Sequence, residues 1–495
     1  MLGYWRCHED YRQFVVNELS KTALINPSAL FEYEEEISKL YILDLDPLRR
    51  IIAPLYSPIG RAANFQPEIF RSLVLMNQMG YAPDNWVAKL ENNFVLRTIC
   101  GFSDKMPALA SYYDFINRIV KLNEKPRHKK KKRKPSGKHG KKKLPPKHPG
   151  IVGKLVDKIL VGRRFNNRPE KVLQQIFADV CVQKSFNLGL IPQTVSISGD
   201  GTCIETGASH RGVKTCECRK NGDYNCSCTR KFSDPNATWG WDSHNERYFY
   251  GYTGYFISTY NKAEKLDLPL YLRLVEASRH DSVSAVVALA EFRDLYPNLK
   301  IDVFIHDSAA DNYATYELLK AWNINAVIAL NSTNKDNFKH PKHLSINENG
   351  VPVCPAGNKM IYWGFNAKDR CRLKWRCPRV LGKVKPCASC ENCSPSPYGR
   401  VIYTKPDWDL RLFTAIPRDS TAWKLKMKER TAAERVNNRI LHHYGIENSK
   451  TRGKKRISFF ATIAAFNVHL DAQLAKLKST ATFDFNGIFS LPLAA

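Results

Sequence analysis

Three acidic residues carry the strongest chemical signal in this sequence: Asp200, Asp307 and Glu434. Carboxylate oxygens are the hard ligands that Mg²⁺ prefers, and a Mg²⁺ site in a protein needs only a few of them. Two such ions about 3.5–4 Å apart activate the attacking oxygen and stabilise the leaving oxygen in phosphodiester cleavage. The acids therefore predict a catalytic Mg²⁺ or Mn²⁺ site in which Asp200 bridges two ions and Asp307 and Glu434 bind one each.

The context of the two aspartates supports this interpretation. Asp200 lies in the small-residue stretch Ser198–Thr202, which leaves space for a metal ion and a phosphate, and Asp307 follows an apolar strand pattern. Without such context, an aspartate at the end of a strand is more often a turn former or a helix cap. Two neighbours compete for the second position. Asp302 lies near the start of the strand, and Asp311 is better explained as the cap of the next helix.

The segments around the acids alternate between strand and helix patterns. The order strand, strand, strand, helix, strand, helix, strand predicts an α/β fold with a mixed sheet and flanking helices. Ligands of open α/β sheets bind at the carboxyl ends of strands. Because the first and fourth predicted strands both end in aspartate, we expect these aspartates to meet at one sheet edge, with Glu434 approaching from a helix. The strand patterns cover 194–200, 248–258, 268–275, 301–307 and 326–330, and the helix patterns cover 282–295 and 313–322.

The composition indicates a nucleic-acid partner. The 495 residues include 76 Lys and Arg against 47 Asp and Glu, a formal net charge of +29. Such an excess is typical of proteins that bind a polyanion, although a merely basic surface is the alternative. No basic amphipathic anchor, no signal peptide and no run of about 20 apolar residues is found. We therefore expect a cytoplasmic, nucleoid-associated protein without a membrane partner.

Changes in composition divide the chain into five parts. The sequence predicts an all-α N-terminal domain that binds DNA, a basic flexible linker, a catalytic domain interrupted by a cysteine-rich insertion, and C-terminal helices that complete the catalytic domain. In chain order these parts are 1–124, 125–149, 150–330 with a Cys-rich loop at 216–228, 331–420 and 421–495.

The linker is a candidate DNA-binding arm. From 125 to 147 the linker contains no acidic residue. Its positive charges repel one another, and we expect the segment to become ordered when it binds DNA phosphates. A solvated linker or a nuclear-import signal is the alternative. Its candidate DNA contacts are Lys129, Lys130, Lys131, Lys132, Arg133, Lys134, Lys141, Lys142 and Lys143.

Around the acids the sequence resembles the DDE transposases of bacterial insertion sequences. The first, second and third acid motifs of that family resemble Gly199–Thr202, 303–312 and Arg430–Arg435, and 70–102 resembles the helical N-terminal domain of one large group of them. The resemblance implies a ribonuclease H-like catalytic domain and binding of double-stranded DNA at terminal inverted repeats. It also implies cleavage at those ends, transfer to target DNA, and a homodimer in a synaptic complex.

The third acid matches only part of one family signature, Tyr-x₂-Arg-x₃-Glu-x₆-Lys. Arg430 and Glu434 fit it, whereas Met427 stands at the Tyr position and Leu441 at the Lys position. The resemblance implies that Arg430 contacts phosphates of the DNA ends. Arg435 and Arg439 lie on the same predicted helix. They are candidates for DNA contact, with a solvent-facing position as the alternative.

Aromatic residues and clustered cysteines supply further candidates. Trp239 and Trp241 are candidates for stacking on unpaired bases. The 14 cysteines are thiols or metal ligands if the compartment is reducing, and two clusters suit structural Zn²⁺, with a metal-free cluster as the alternative. The first is Cys216, Cys218, Cys226 and Cys228. The second is Cys371, Cys377, Cys387, Cys390 and Cys393, with Cys354 earlier in the chain.

Two other functions remain open from the sequence. One is a catalytically inactive DNA-binding protein derived from a transposase, whose hallmark would be mutated acids, although all three acids are present here. The other is a ribonuclease H-like nuclease that cuts DNA without strand transfer.

Overall fold

The computed structural model describes residues 1–121, 150–165, 168–243, 245–331, 339–385, 387, 393–447 and 449–489, together with the backbone of 128–129. The arm cations Lys130–Lys134 and Lys141–Lys143, the side chain of Lys129, and Cys390 lie outside these ranges.

Helices precede and follow a central sheet. The N-terminal helices are α1 (His8–Ile25), α2 (Ser28–Phe31), α3 (Glu34–Ile42), α4 (Asp46–Ile52), α5 (Gln66–Gln78), α6 (Pro83–Glu91), α7 (Phe94–Cys100) and α8 (Leu109–Ile119). They are followed by α9 (Ile151–Leu160), α10 (Glu170–Ile176), α11 (Gln183–Asn187), α12 (Asp281–Leu295) and α13 (Tyr313–Ala321). The C-terminal helices are α14 (Thr421–Lys428), α15 (Thr431–Asn438), α16 (Lys454–Ser479) and α17 (Phe485–Phe489).

The strands form one large and two small sheets. They are β1 (His128–Lys129), β2 (Thr194–Glu205), β3 (Val213–Lys214), β4 (Arg230–Lys231), β5 (Thr238–Asp242), β6 (Arg247–Asn261), β7 (Leu266–Glu276), β8 (Lys300–His306), β9 (Asn325–Ile328), β10 (Ile361–Asn366), β11 (Arg372–Arg376) and β12 (Val401–Thr404). The central sheet has the order β7–β6–β2–β8–β9, and β5 also pairs with β6.

The central sheet is mixed, as the sequence predicts. β7, β6 and β2 run antiparallel, whereas β2, β8 and β9 run parallel. The helix α12 connects β7 to β8 and α13 connects β8 to β9. The five predicted strands and two predicted helices are all present. One bound is wrong: β2 does not end at Asp200 but continues to Glu205, because residues 201–205 still pair with β6.

The N-terminal helices share one hydrophobic core with the sheet and with α16. Phe70 of α5 packs edge-on against Phe466 of α16, with ring centroids 5.3 Å apart. Asn467 Nδ2 donates to the carbonyl of Val74 at 3.1 Å. Because α16 is buried between the central sheet and residues 1–121, it fixes the position of the N-terminal helices relative to the sheet. By contrast, β10, β11 and β12 form a separate sheet with its own small core, within the predicted insertion.

Within the described part of the chain, no helix is both long enough and apolar enough to span a bilayer.

Candidate functional site

Asp200 of β2 lies near Asp307, which directly follows β8, close enough for the charge of Asp307 to act on Asp200. β2 and β8 pair in parallel with Ser198 opposite Ile305, and extending this register by two residues sets Asp200 beside Asp307. Neighbouring strands lie about 4.8 Å apart, and residues two apart on a strand share a face. β8 ends at His306, so the parallel pairing stops where the two acids meet.

The helix α15 contributes an amide to this site. Asn437 Nδ2 donates to Asp200 Oδ2 at 2.9 Å. Asn437 is buried, and its Oδ1 accepts no hydrogen bond from the residues that the structure describes. A buried oxygen without a donor costs about 1–3 kcal/mol. A cation beside Asp200 would satisfy it.

Asp200 has an unusual electrostatic environment. Burial raises the pKa of Asp200 to about 6. The imidazole of His306 and the guanidinium of Arg430 oppose this rise in pKa, and the neighbouring acids Asp281 and Asp307 add to it. The carboxylate is therefore poorly solvated and surrounded by other acids, which is a state that a bound cation stabilises.

Asp307 is held by a hydrogen-bonded chain that runs into the sheet. His306 Nδ1 lies 2.7 Å from Asp307 Oδ1, and His306 Nε2 lies 3.0 Å from the hydroxyl of buried Tyr255. The N–H of Ala309 also donates to Asp307 at 2.9 Å. Burial acts to raise the pKa of Asp307, but the hydrogen bond and charge of His306 outweigh it and hold this pKa below its usual value. The two aspartates thus differ, since Asp200 accepts a proton far more readily.

A fourth acid, Asp281, lies beside the pair and was not among the sequence candidates. It begins α12, and its Oδ1 lies 2.5 Å from the place that a Cβ on Gly201 would occupy. Burial raises the pKa of Asp281, and Asp307 adds to the rise. Its sequence signal is ordinary, because acids are common in the first turn of a helix. Gly201 and Asp200 point to opposite faces of β2, so Asp281 approaches from the face opposite to the Asp200 side chain and acts on Asp200 through its charge.

Glu434 lies on α15, as predicted, but its carboxylate points to a different partner. Its side chain is 47% exposed and pairs with Arg430 at 2.5 Å, one turn earlier. Arg430 also lowers the pKa of Asp200 and of Asp307, so its charge links the third acid to the first two. The carboxylate oxygens of the three acids do not all lie within 4.8 Å of one another. Among the described residues, the one group of potential metal ligands that is this compact consists of four cysteines.

The two competing aspartates have structural partners. Asp302 is exposed and accepts a hydrogen bond from Asn325 at 3.1 Å. Asp311 does not cap α13, because Asn312 does so. Instead, Asp311 forms a buried two-point ion pair with Arg411, at 2.6 and 2.8 Å. The cap prediction for Asp311 is therefore wrong: its charge is neutralised by a cation near the end of the insertion.

Arg435 and Arg439 both contact Asp267 at the start of β7. The guanidinium of Arg435 bonds the Asp267 carboxylate at 2.5 and 2.8 Å, and Arg439 donates to the Asp267 carbonyl. These bonds attach α15 to the sheet. A DNA contact by either arginine stays a prediction, and it would compete with this anchor.

Trp239 and Trp241 project from β5, which pairs with β6. They are 41% and 53% exposed. Trp241 packs against Tyr248 with ring centroids 4.8 Å apart, and Trp239 packs against His210 at 5.0 Å and Tyr250 at 5.5 Å. The tryptophans therefore form an accessible aromatic surface of the kind on which bases stack.

The sulfur atoms of Cys216, Cys218, Cys226 and Cys228 all lie within 4.8 Å of one another. The closest pairs, Cys216 with Cys226 and Cys218 with Cys228, are 3.5 and 3.6 Å apart. Tetrahedral Zn²⁺ with bonds of about 2.3 Å to sulfur separates its ligands by about 3.8 Å, whereas a disulfide bond is about 2.05 Å long. The spacing fits four metal ligands and not two disulfides.

The second cysteine cluster is only partly described. Cys377, Cys387 and Cys393 line one cavity of the insertion together with Cys354. Cys387 is disulfide-bonded, so the prediction that it is a zinc ligand is wrong in this structure. Cys371 precedes β11 and is absent from the lining of that cavity among the described residues.

Comparison with known proteins does not add a family. No protein-family model matches the chain, and no curated protein matches it.

Proposed function

We propose that this protein is a DNA transposase with a ribonuclease H-like catalytic domain, in which Asp200, Asp307 and Glu434 hold divalent metal ions. The observation that carries the proposal is the placement of the two aspartates on adjacent parallel strands, beside α15. The order of three antiparallel strands, helix, strand, helix, strand supports the fold assignment. The acid motifs that resemble DDE transposases of insertion sequences support the activity.

The donor set fits Mg²⁺ or Mn²⁺. Asp200 and Asp307 offer hard carboxylate oxygens, and the buried Oδ1 of Asn437 accepts no hydrogen bond within the described ranges. When bound, such ions activate the attacking oxygen and stabilise the leaving oxygen of a phosphodiester. The chain's own contribution is positional: Asn437 orients Asp200, and His306 keeps Asp307 ionised and fixed.

The Arg430–Glu434 ion pair suggests how the third acid joins the site. A phosphate of a DNA end competes with Glu434 for the guanidinium of Arg430, because arginine binds phosphates through the same fork of donors. When Arg430 turns to a phosphate, Glu434 becomes available as the third metal ligand. Metal binding by Glu434 would then depend on DNA.

The proposed partner is double-stranded DNA, as terminal inverted repeats and as target, in agreement with the net charge of +29. We propose a homodimer that pairs two DNA ends and acts at the nucleoid. The four thiolates of the loop 216–228 suit a Zn²⁺ ion.

A cleavage assay tests the proposal. The substrate is duplex DNA with the inverted repeats that flank the coding region, incubated with purified full-length protein and Mg²⁺. We expect nicking at the 3′ ends and joining to target DNA, both abolished by Asp200→Asn and by Asp307→Asn. Asp302→Asn is the matched control, because it makes the same change on the same strand at an exposed position away from the site.

Three other outcomes contradict the proposal. Folded wild-type protein that binds DNA but never cuts it favours the inactive DNA-binding protein. Cutting without joining favours the nuclease. Activity that survives Asp307→Asn removes this aspartate from the metal site.

A further inference from the structure

The four-cysteine loop lies inside a small basic sheet. β3 and β4 form an antiparallel hairpin around the loop, and β4 also pairs on its other edge with β1. β1 is His128–Lys129, the start of the basic run 128–134. The backbone that leads into this run is thus attached to the cysteine hairpin as a third strand. We call β1, β3, β4 and the loop 215–229 the thiolate module.

The thiolate module has little else to hold it together. Its strands are two residues long, and short isolated strands are not stable without a hydrophobic face. Val213 is 68% exposed, and the stretch 219–225 is exposed throughout. Cys226 is one of the few buried side chains, at 6% exposure. A cross-link between the four sulfurs is the interaction that can fix both arms of the hairpin.

The base of the module is fixed to the catalytic domain through Asp234, three residues after β4. Asp234 accepts hydrogen bonds from Thr206 at 2.8 Å and from Tyr252 at 2.5 Å. It also accepts one from the N–H of Gly453, at the start of α16, at 2.9 Å. The position of the hairpin is therefore set relative to β2, the strand that carries Asp200.

The charge of the module suits a phosphate backbone. Residues 209–232 contain six Lys and Arg against two acids. Zn²⁺ bound to four thiolates adds two negative charges, so the segment stays positive even with metal. Arg211, Arg219 and Lys231 are exposed. Exposed cations fit duplex DNA through its phosphates, a contact that does not depend on base sequence.

We propose that Cys216, Cys218, Cys226 and Cys228 bind one Zn²⁺ ion and that this ion holds the thiolate module in the form that binds the DNA backbone, so that DNA affinity depends on zinc. Each thiol gives its proton to solvent as the metal binds. The inference takes its DNA partner from the proposed function but does not depend on the cleavage chemistry.

The first test compares zinc content and DNA binding in the full-length chain. The variant Cys216→Ser/Cys226→Ser is compared with Cys7→Ser, which changes a thiol to a hydroxyl at a helix cap outside the module. We expect the double variant to lose one zinc per chain by elemental analysis. We also expect about 10- to 100-fold weaker binding to a short duplex of arbitrary sequence, with a shallower salt dependence because fewer counterions are released. Chelation of the wild type should have the same effect, reversed by Zn²⁺ and not by Mg²⁺.

A second variant guards against misfolding. Lys231→Glu reverses the charge of an exposed residue of β4 and leaves the cysteines intact, so it should retain zinc and still bind DNA more weakly. Wild-type protein without zinc overturns the proposal, as does a zinc-free variant with unchanged DNA affinity and salt slope, or an unchanged affinity of Lys231→Glu. Wild-type protein measured without Mg²⁺ separates the two proposals, because its zinc content and its DNA affinity should be the same whether or not cleavage is ever found.

Discussion

Asn437 donates a hydrogen bond to Asp200 at 2.9 Å, three residues after Glu434 on the same helix. Glu434 and Asn437 lie on one face of α15, since positions three apart are neighbours on a helix, and Arg430 precedes the helix one turn before Glu434. Of these side chains, the amide of Asn437 contacts Asp200, whereas the acid pairs with the cation of Arg430. The helix therefore contacts the site through Asn437, and we propose that Glu434 joins it once Arg430 releases it.

Asn437→Ala should weaken metal binding and leave the fold intact. The substitution removes the donor that orients Asp200, and loss of such a supporting hydrogen bond lowers metal affinity about 10- to 100-fold. We expect the Mg²⁺ concentration for half-maximal cleavage to rise by that factor, while cleavage at saturating Mg²⁺ changes less. Asn438→Ala, at the exposed neighbouring position, is the control. Equal Mg²⁺ dependence of both variants would show that Asn437 has no role in metal binding.

Asp200→Asn should stabilise the protein in the absence of metal. Burial raises the pKa of Asp200 to about 6, against 3.8 for a free aspartate, so ionisation is penalised in the folded state. Because the folded-state pKa is raised, this penalty is absent below about pH 4 and complete above about pH 6. At 1.36 kcal/mol per pKa unit, the variant should gain about 1–3 kcal/mol at pH 7.5 in denaturant unfolding, and nothing at pH 4.

The control for this measurement is Asp302→Asn, and Mg²⁺ supplies a second comparison. Added Mg²⁺ should raise the Tm of the wild type, because a ligand that binds only the folded state stabilises it, but it should not raise that of Asp200→Asn. A variant less stable than the wild type at pH 7.5 would contradict the electrostatic account of this site.

The sequence was sufficient to predict five strands of the central sheet and two of its helices, because their signals are local. Alternating apolar runs predicted β2 and β8 within a residue or two at most ends, and register on parallel strands then brings Asp200 and Asp307 together. The end of β2 was misplaced for a non-local reason. Residues 201–205 continue as a strand because β6 pairs with them, which small polar residues alone do not predict.

The parts of the site that the sequence missed depend on long-range contacts. Asp281 reaches the site across Gly201, and His306 bridges Asp307 to Tyr255 on another strand. Neither carries a spacing signal. Likewise, Asp311 pairs with Arg411, which lies 100 positions later in the chain. Because no local pattern reveals such a contact, the sequence alone predicted a helix cap at Asp311.

The contact between Arg435 and Asp267 allows a structural role of Arg435 to be distinguished from a role in DNA binding. Since Asp267 holds the guanidinium at two points, we expect Arg435→Ala and Asp267→Asn to lower the free energy of unfolding by a similar amount, about 1 kcal/mol for a half-exposed pair. The salt slope of DNA binding should not change in Arg435→Ala. A decrease of about one in that slope, with unchanged stability, would assign Arg435 to a phosphate instead.

His469 on α16 should make the whole fold sensitive to acid. The ring is fully buried, with Nδ1 2.7 Å from the hydroxyl of Ser185 and Nε2 2.7 Å from the carbonyl of Pro269. Burial lowers the pKa of His469 to about 4. The neutral ring, donating from Nε2 and accepting at Nδ1, satisfies both contacts, whereas a protonated ring would leave a charge in the core.

The sign of the effect follows from the lowered pKa. The unfolded chain takes up a proton near pH 6.5, whereas the folded chain does so only near pH 4, so stability is complete above about pH 6.5 and falls between these two values. Protonation linked to this residue alone should lower the free energy of unfolding by about 2 kcal/mol between pH 7 and pH 5. His469→Gln keeps a donor near Pro269 but cannot be protonated. It should be less stable at pH 7 through altered packing, yet its unfolding free energy should fall by about 2 kcal/mol less than that of the wild type on going to pH 5. Parallel pH profiles for the two proteins would mean that His469 is not the group whose protonation weakens the fold.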